Sequence, residues 1–449
     1  MQNTATRDEY GENLAGASIL VIDDEPGMRN FMTKILSPRC KRVEQAASAA
    51  EANAILDQSH FDLVILDNIM PGKTGLEWMQ EQRRVGLFAD TILVTAYADL
   101  ETAIQALRIG VADFVLKPFR ANQILNSVAR ALDRKYLRRE NYLLKHELSA
   151  EGSGARGRLL GKSTAISQAR DMLTRLAPLP TPVLFTGASG TGKEIAARTL
   201  HSLSERANKP FVAVNCAAIA PDRIAHELFG MVDDQDRRKD GLFLHADGGT
   251  LFLDEVAQMP DQVQAALLRV LEDQRIRPVG AERDIPLNLR FLFATNADLQ
   301  QAVADGRFRA DLYHRINVVE IVMPPLRERV EDIVELASLF MDQFSTSLGM
   351  PALELNEETL LKFSRYDWPG NVRELRNLIE RSVILGEIPE EFSGTGSITG
   401  AAAIETLDLV TQRHIMHVLD ACDGNRAEAS RRLGVSRKTI DRKCASWGF

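Results

Sequence analysis

The sequence predicts an α/β protein in three parts: a doubly wound domain, a larger P-loop α/β domain with a helical lid, and a small all-α end. Three observations predict it. Short apolar runs alternate with helix-length amphipathic stretches over residues 17–120. A second alternating unit, residues 159–324, opens on a glycine-rich turn behind an apolar run and is followed by helical spacing to about Leu385. Residues 406–449 read as three short helices broken by Gly-containing turns. Strand–helix alternation argues for parallel sheets, whose functional groups gather at the carboxyl ends of the strands.

A chain of 449 residues suits about three domains at the usual ~100–200 residues each. With 45% hydrophobic and 26% charged residues it can build several cores, which excludes a disordered chain. The net charge of −8 excludes a uniformly basic protein that coats nucleic acid. It leaves room for a local basic module, because from Gly424 onward seven Lys/Arg face two acids. Cys40, Cys216, Cys422 and Cys444 form no Cys-x-x-Cys pair, so neither a disulfide framework nor a zinc site is expected, and a reduced cytosol is the simple reading. Residues 1–16 lack the basic-then-apolar pattern of a signal peptide, and no apolar run approaches ~18 residues, so a cytoplasmic protein with no membrane partner is expected.

In the first domain, strands are expected at 18–22, 63–66, 91–94 and 114–116, each ending in polar residues. Asp23 and Asp24 follow the first, Asp67 follows the third strand of the fold, Thr95 ends a later one, and Lys117 precedes Pro118 at the last. Any single acid at a strand end can simply solvate a loop. Five such positions in order point to one pocket, where three carboxylates repel one another unless a divalent cation such as Mg²⁺ joins them. A carboxylate beside that ion can attack a phosphoryl group, which Thr95 and Lys117 can then hold by hydrogen bond and charge. Residues 122–148 lack Gly and Pro and predict a long helix whose apolar spacing (Ile124, Leu125, Val128, Leu132) loses register near Lys135. A dimer coiled coil and a plain linker helix both fit it. Residues 149–158 and 390–400 are flexible connectors by composition.

The second domain carries Gly187-Ala-Ser-Gly190-Thr-Gly192-Lys193-Glu194 after a strand and before a helix. Such glycines let backbone N–H groups close around ATP phosphates at a helix N-terminus, with Lys193 supplying charge. Glu194 stands where a Mg²⁺-ligating Ser/Thr is usual. An apolar strand ending in Asp254 and Glu255 supplies a second acidic site: Asp254 would hold Mg²⁺ and Glu255 would polarise the attacking water. One Gly-rich turn alone could be an ordinary loop, but the acidic strand end makes that reading poor. At the end of the chain, a helix over 407–421, a break at 423–425, a second helix over 426–433 and a turn at Gly434 precede a basic helix capped by Ser436. This is a helix-turn-helix pattern, in which Arg437, Lys438 and Thr439 reach bases while Arg442 and Lys443 add phosphate affinity. A solvated basic hairpin is the plainer alternative.

The motifs IDDE, LDNIMPG, VTAYAD and LKPF, across about residues 17–130, resemble the response-regulator receiver family. That resemblance implies Asp67 as phosphoacceptor, Asp23 and Asp24 as Mg²⁺ holders, Thr95 and Lys117 as phosphoryl sensors, and a histidine kinase as phosphate donor. Phe114 stands at the family's switch-aromatic position, where a plain core aromatic fits equally. GASGTGKE, LFLDE, PPLRER and WPGNVREL, across about residues 159–388, resemble the AAA+ domain of NtrC-type enhancer-binding proteins, in which Glu after the P-loop Lys is usual. The resemblance implies Asn296 as sensor I, Arg373 as sensor II, Arg309 and Arg315 as arginine fingers, and Asn215 as the partner of Glu255 in the idle ATPase. Fingers acting on a neighbour's nucleotide imply a ring, typically a hexamer, built from a homodimer. NRAEASRRLGVSRKTIDRK resembles Fis-type DNA readers, which bind as dimers. Expected limits are thus 17–130 for the receiver, 131–158 for linker helix and connector, 159–388 for the AAA+ domain, 389–405 for a linker and 406–449 for the DNA reader.

One departure bears on function. After Glu227-Leu-Phe-Gly230 the family carries GAFTGA, a loop that touches sigma-54, whereas here residues 231–240 read MVDDQDRRKD, charged and shorter. A charged loop offers no aromatic anchor flanked by glycines. The expectation is a phosphorylation-controlled, ATP-binding transcription regulator acting on promoter DNA and RNA polymerase without remodelling sigma-54. An ATP-driven sigma-54 activator is the alternative, and an AAA+ chaperone a third reading that the receiver and the basic helices disfavour.

Overall fold

The computed structural model describes residues 12–85, 89–96, 105–106, 109–149, 159–232, 238–388, 422 and 425–433. Two units result, residues 1–389 and 390–449. The first contains two five-stranded parallel sheets.

The first sheet comprises β1 (Ser18–Ile22), β2 (Arg42–Ala46), β3 (Leu63–Asp67), β4 (Asp90–Thr95) and β5 (Asp113–Leu116), in the order β2-β1-β3-β4-β5. Period-two alternation divides its side chains between two cores. Ile19, Val21, Leu63, Ile65, Ile92 and Val94 pack on Met32, Leu36, Ile124, Leu125 and Val128. Leu20, Ile22, Val64, Leu66 and Leu93 pack on Leu56, Trp78 and Met79. Each such side chain contributes roughly 1.5–3 kcal/mol by leaving water. The sequence reading missed β2, because RVEQA at a sheet edge has no apolar face and is only partly buried.

The second sheet comprises β6 (Val183–Thr186), β7 (Phe211–Asn215), β10 (Thr250–Asp254), β13 (Arg290–Thr295) and β14 (Glu320–Val322), in the order β14-β6-β13-β10-β7. Two short antiparallel pairs lie outside it: β8 (Met231–Val232) with β9 (Arg238–Lys239), and β11 (Arg275–Ile276) with β12 (Ile285–Pro286). The second pair was not anticipated, since two-residue strands carry no periodic signal. A helical lid follows: Glu331–Leu348, Glu357–Arg365 and Asn371–Leu385.

The helix Ala121–Ser149 joins the two sheets' domains. Its register loss has a structural reason: past Leu132 only Tyr136, among the described residues, still packs on the receiver core, and ion pairs and then the second domain take over. Lys135 pairs with Asp62 and Arg138 with Asp90. Arg139 then donates to the carbonyls of His245 (2.7 Å) and Asp247 (2.8 Å). Tyr142 stacks on His245 and donates to Glu227 at 2.9 Å. The β11–β12 hairpin meets the receiver directly, through Arg275 on the Asp57 carbonyl (2.9 Å) and Arg283 on Gln82 (2.7 Å) and Asp57 (3.1 Å).

In the second unit the described helix is Arg426–Leu433, matching the expected bounds. Asn425 caps it by accepting from the Glu428 amide (3.2 Å), Ala429 is buried, and Glu428 pairs with Arg431 and Arg432. The flanking helices, with Arg437, Lys438, Thr439, Arg442 and Lys443, lie outside the described residues. Among the described residues no helix is long and apolar enough to cross a membrane.

Candidate phosphoryl and nucleotide sites

The parallel register brings the receiver residues together at one sheet edge. Asp23 follows β1, Asp67 ends β3, Thr95 ends β4, and Lys117 follows β5, its amide bonded to the Thr95 carbonyl at 2.8 Å. Asp23 and Asp67 are buried, whereas Asp24 is exposed. Lys117 Nζ donates to Asp23 Oδ2 (2.9 Å) and Asp67 Oδ2 (2.8 Å). Burial holds the Asp67 carboxyl above its usual range, with the Asp23 charge adding to that and Lys117 opposing it. Burial also works against the Lys117 charge, but its bonds to Asp67 and Asp23 outweigh this and raise its pKa.

Asp23, Asp24 and Asp67 can each offer one oxygen with all three oxygens within 4.8 Å of one another. Three carboxylates against one ammonium leave excess negative charge among hard oxygen donors, which fits Mg²⁺. When bound, the ion would neutralise charge on a transferring phosphoryl group. Gly75 is forced here, since a Cβ would sit 2.3 Å from the Asp67 carbonyl oxygen. Phe114 is 47% exposed on β5, so the plain-core reading of it does not hold.

In the second domain the P-loop joins β6 to the helix Lys193–Ser202, with Gly192 as its left-handed N-cap (φ 103°). Lys193 is buried and donates to the carbonyls of Gly187 (2.8 Å) and Ala188 (3.3 Å). Burial lowers its pKa, Asp254 and Glu255 counteracting in part. Glu194 pairs with Arg198. Asp254 ends β10 opposite Asn215 on β7, and burial with the neighbouring Glu255 charge raises the Asp254 pKa. Glu255 adopts a left-handed backbone (φ 54°), and its carboxylate accepts from the Asn296 amide at 3.3 Å.

Asn215, register partner of Asp254, makes no hydrogen bond to Glu255. Its side chain instead accepts from the Ala217 amide at 2.9 Å, because a 3₁₀ turn begins at Cys216 and leaves that donor to be capped. Arg309 chelates Asp311, and Arg315 donates to the Leu271 carbonyl at 3.1 Å. Neither arginine is hydrogen-bonded to this chain's own P-loop. Arg373 reaches it, donating to Ser189 Oγ at 3.0 Å. Three further lid-side contacts escaped the sequence reading: Asn371 to the Ser189 carbonyl (2.9 Å), the Val372 amide to that of Gly190 (3.0 Å), and Arg329 to that of Thr191 (2.7 Å). They join residues far apart in sequence, and only the tight Trp368-Pro-Gly-Asn371 turn hinted at them.

Family models match four stretches: "Response regulator receiver domain" (residues 19–129), "Sigma-54 interaction domain" (159–322), "AAA+ ATPase lid domain" (327–391) and "Bacterial regulatory protein, Fis family" (406–445). The chain is 35% identical over 452 residues to the regulatory protein AtoC of Escherichia coli (strain K12), covering 96% of this chain and 98% of that protein. It is 34% identical over 454 residues to the nitrogen assimilation regulatory protein NtrX of Azorhizobium caulinodans, covering 96% and 99%. Crystal structures of NtrX from Brucella abortus, in complex with ADP and with ATP, match 97% of this chain and 100% of that one. Their TM-score is 0.54 at 33% identity.

Proposed function

From the premise that this chain belongs to the NtrC-type response regulators, we propose that it is a two-component transcription regulator switched by phosphorylation of Asp67. A histidine kinase supplies the phosphoryl group, Mg²⁺ is held by Asp23, Asp24 and Asp67, ATP binds the P-loop, and the Fis-type end binds promoter DNA and acts on RNA polymerase. The observation that carries this is the Lys117 ammonium bridging Asp23 and Asp67 at the sheet edge. It supports a nucleophilic carboxylate that exchanges its internal cation for a phosphoryl group and a metal. The helix Ala121–Ser149, anchored at Arg139 and Tyr142, is the route by which that exchange reaches the ATPase.

The regulator acts without remodelling sigma-54 polymerase. Segment 231–240 is closed at its base by the β8–β9 pair, and its sequence between them is DDQDR. Such a tip supports repulsion from, or indifference to, an apolar docking surface. The alternative, an ATP-hydrolysing activator of sigma-54 promoters, draws on Asp254, Glu255 and Asn296 converging at adjacent strand ends. In that reading Arg309 and Arg315 serve a neighbour's nucleotide in a hexameric ring. Transcription with purified sigma-54 polymerase, comparing ATP with a non-hydrolysable analogue, separates the two. Open complexes that need ATP hydrolysis would reject the first reading, and their absence beside intact promoter binding would reject the second.

A further inference from the structure

We infer that Arg329 and Asn371 are positioning residues for the nucleotide phosphates: with the Val372 amide they hold three consecutive P-loop carbonyls against the lid, which turns the following N–H groups toward the phosphates. The inference rests on the reading that this domain binds ATP.

The peptide unit is planar, with its C=O and N–H antiparallel. Fixing the carbonyl of one residue therefore fixes the amide of the next in the opposite direction. The carbonyls of Ser189, Gly190 and Thr191 accept from Asn371 Nδ2, Val372 N and Arg329 Nη2. The amides of Gly190, Thr191 and Gly192 consequently point away from the lid. A run of same-side amides at a helix N-terminus is what a phosphate needs.

Both side chains are built for this task at some expense to the fold. Arg329 and Asn371 are each 2% exposed. Burial pushes the Arg329 guanidinium down to about 10, still charged at neutral pH, and its Nε has no hydrogen-bond partner. Its Nη2 grips the Thr191 carbonyl, and that bond together with the nearby Asp332 charge supports a buried cation there. Asn371 has φ 53°, a conformation rare outside glycine, and its Oδ1 accepts from the Leu326 amide at 2.8 Å. The turn that carries Arg329 and the start of the last lid helix are thus tied to each other as well as to the loop. Gly190 admits this approach because a Cβ would lie 2.3 Å from the Gly370 carbonyl oxygen.

The test measures binding of ADP with Mg²⁺, and of adenosine, to the full chain by equilibrium dialysis. Asn371→Asp keeps the acceptor for Leu326 but turns a carboxylate on the Ser189 carbonyl, and Arg329→Gln removes the buried charge. Each variant is expected to weaken ADP about tenfold or more while adenosine, which has no phosphate, binds as before; Arg329→Lys should fall between. ADP binding within twofold of the parent, or equal losses of ADP and adenosine, would overturn the inference. Should the variants melt early, amide exchange in the unaltered chain decides it: ADP must slow exchange at residues 190–192, and unchanged exchange there refutes the proposal. A parent chain that binds no ADP would instead refute the nucleotide reading itself.

Discussion

The two pockets of this chain solve one problem in opposite ways. Each sits at the carboxyl edge of a parallel sheet and each contains a lysine, partly buried in the first and buried in the second. In the receiver, Lys117 is bonded to two carboxylates, and its pKa is raised. In the nucleotide domain, Lys193 is bonded to two carbonyls, and its pKa is lowered. The first lysine already has its counter-charge, so the acids around it must be reorganised before an anion is accepted. The second is hydrogen-bonded only to dipoles, with Asp254 and Glu255 compensating it in part, and gains most when a phosphate arrives. A pocket whose acids repel one another suits a switch, whereas one lined by amides and an under-compensated cation suits steady binding.

Removing metal or the central acid should divide the pockets most sharply. With acetyl phosphate as donor, EDTA or Asp67→Asn is expected to abolish label on the chain, whereas ADP binding should survive EDTA with a loss of about tenfold or less, since amides and Lys193 remain. Label retained after Asp67→Asn would end the contrast. The next largest effect is Lys193→Ala, which should weaken ADP on the order of 10–100-fold, as for a lost charged hydrogen bond, while leaving acetyl-phosphate labelling unchanged.

The pH dependence sharpens the comparison further. Because burial lowers the Lys193 pKa, its charged, anion-binding form is lost as pH rises at values below the ordinary lysine range near ~10.4. ADP affinity should therefore fall as pH rises toward that range, as read by calorimetry, and Lys193→Arg should remove that fall. The smallest effect is expected between the pockets. Arg139→Ala deletes two bonds from the linker helix to the nucleotide domain, and calorimetric melting should drop by about 2–4 °C. No shift would mean that Arg139 does not couple the domains.

How much of this was legible in the sequence depended on periodicity and on distance along the chain. Strands such as Leu63–Asp67 and Arg290–Thr295 declare themselves because both faces are buried, giving continuous apolar runs that end in polar groups. Those same ends hold Asp67 and the Asn296 position, the first reached from strand-end spacing and the second by resemblance. Edge strand β2 and the pairs β8–β9 and β11–β12 are too polar or too short to leave a pattern. The Asn215 side-chain oxygen caps Ala217, a local contact that the resemblance did not indicate. The grip of Arg329 and Asn371 on the P-loop spans more than a hundred residues, and no local rule reaches that far.

The β11–β12 hairpin has a thermodynamic consequence. Arg275 and Arg283 fasten it to the receiver, while Val279 near its tip bonds Gly230 and Val232, which flank the start of the charged segment. A body gripped at both ends obliges whatever happens at one to be felt at the other. Linkage makes that obligation mutual: any molecule that settles on the charged segment and prefers one receiver state must shift the balance between receiver states by the same free energy. On the proposed phosphorylation of Asp67, the equilibrium extent of that modification is a gauge, readable from the far side of the molecule, of what the segment has bound.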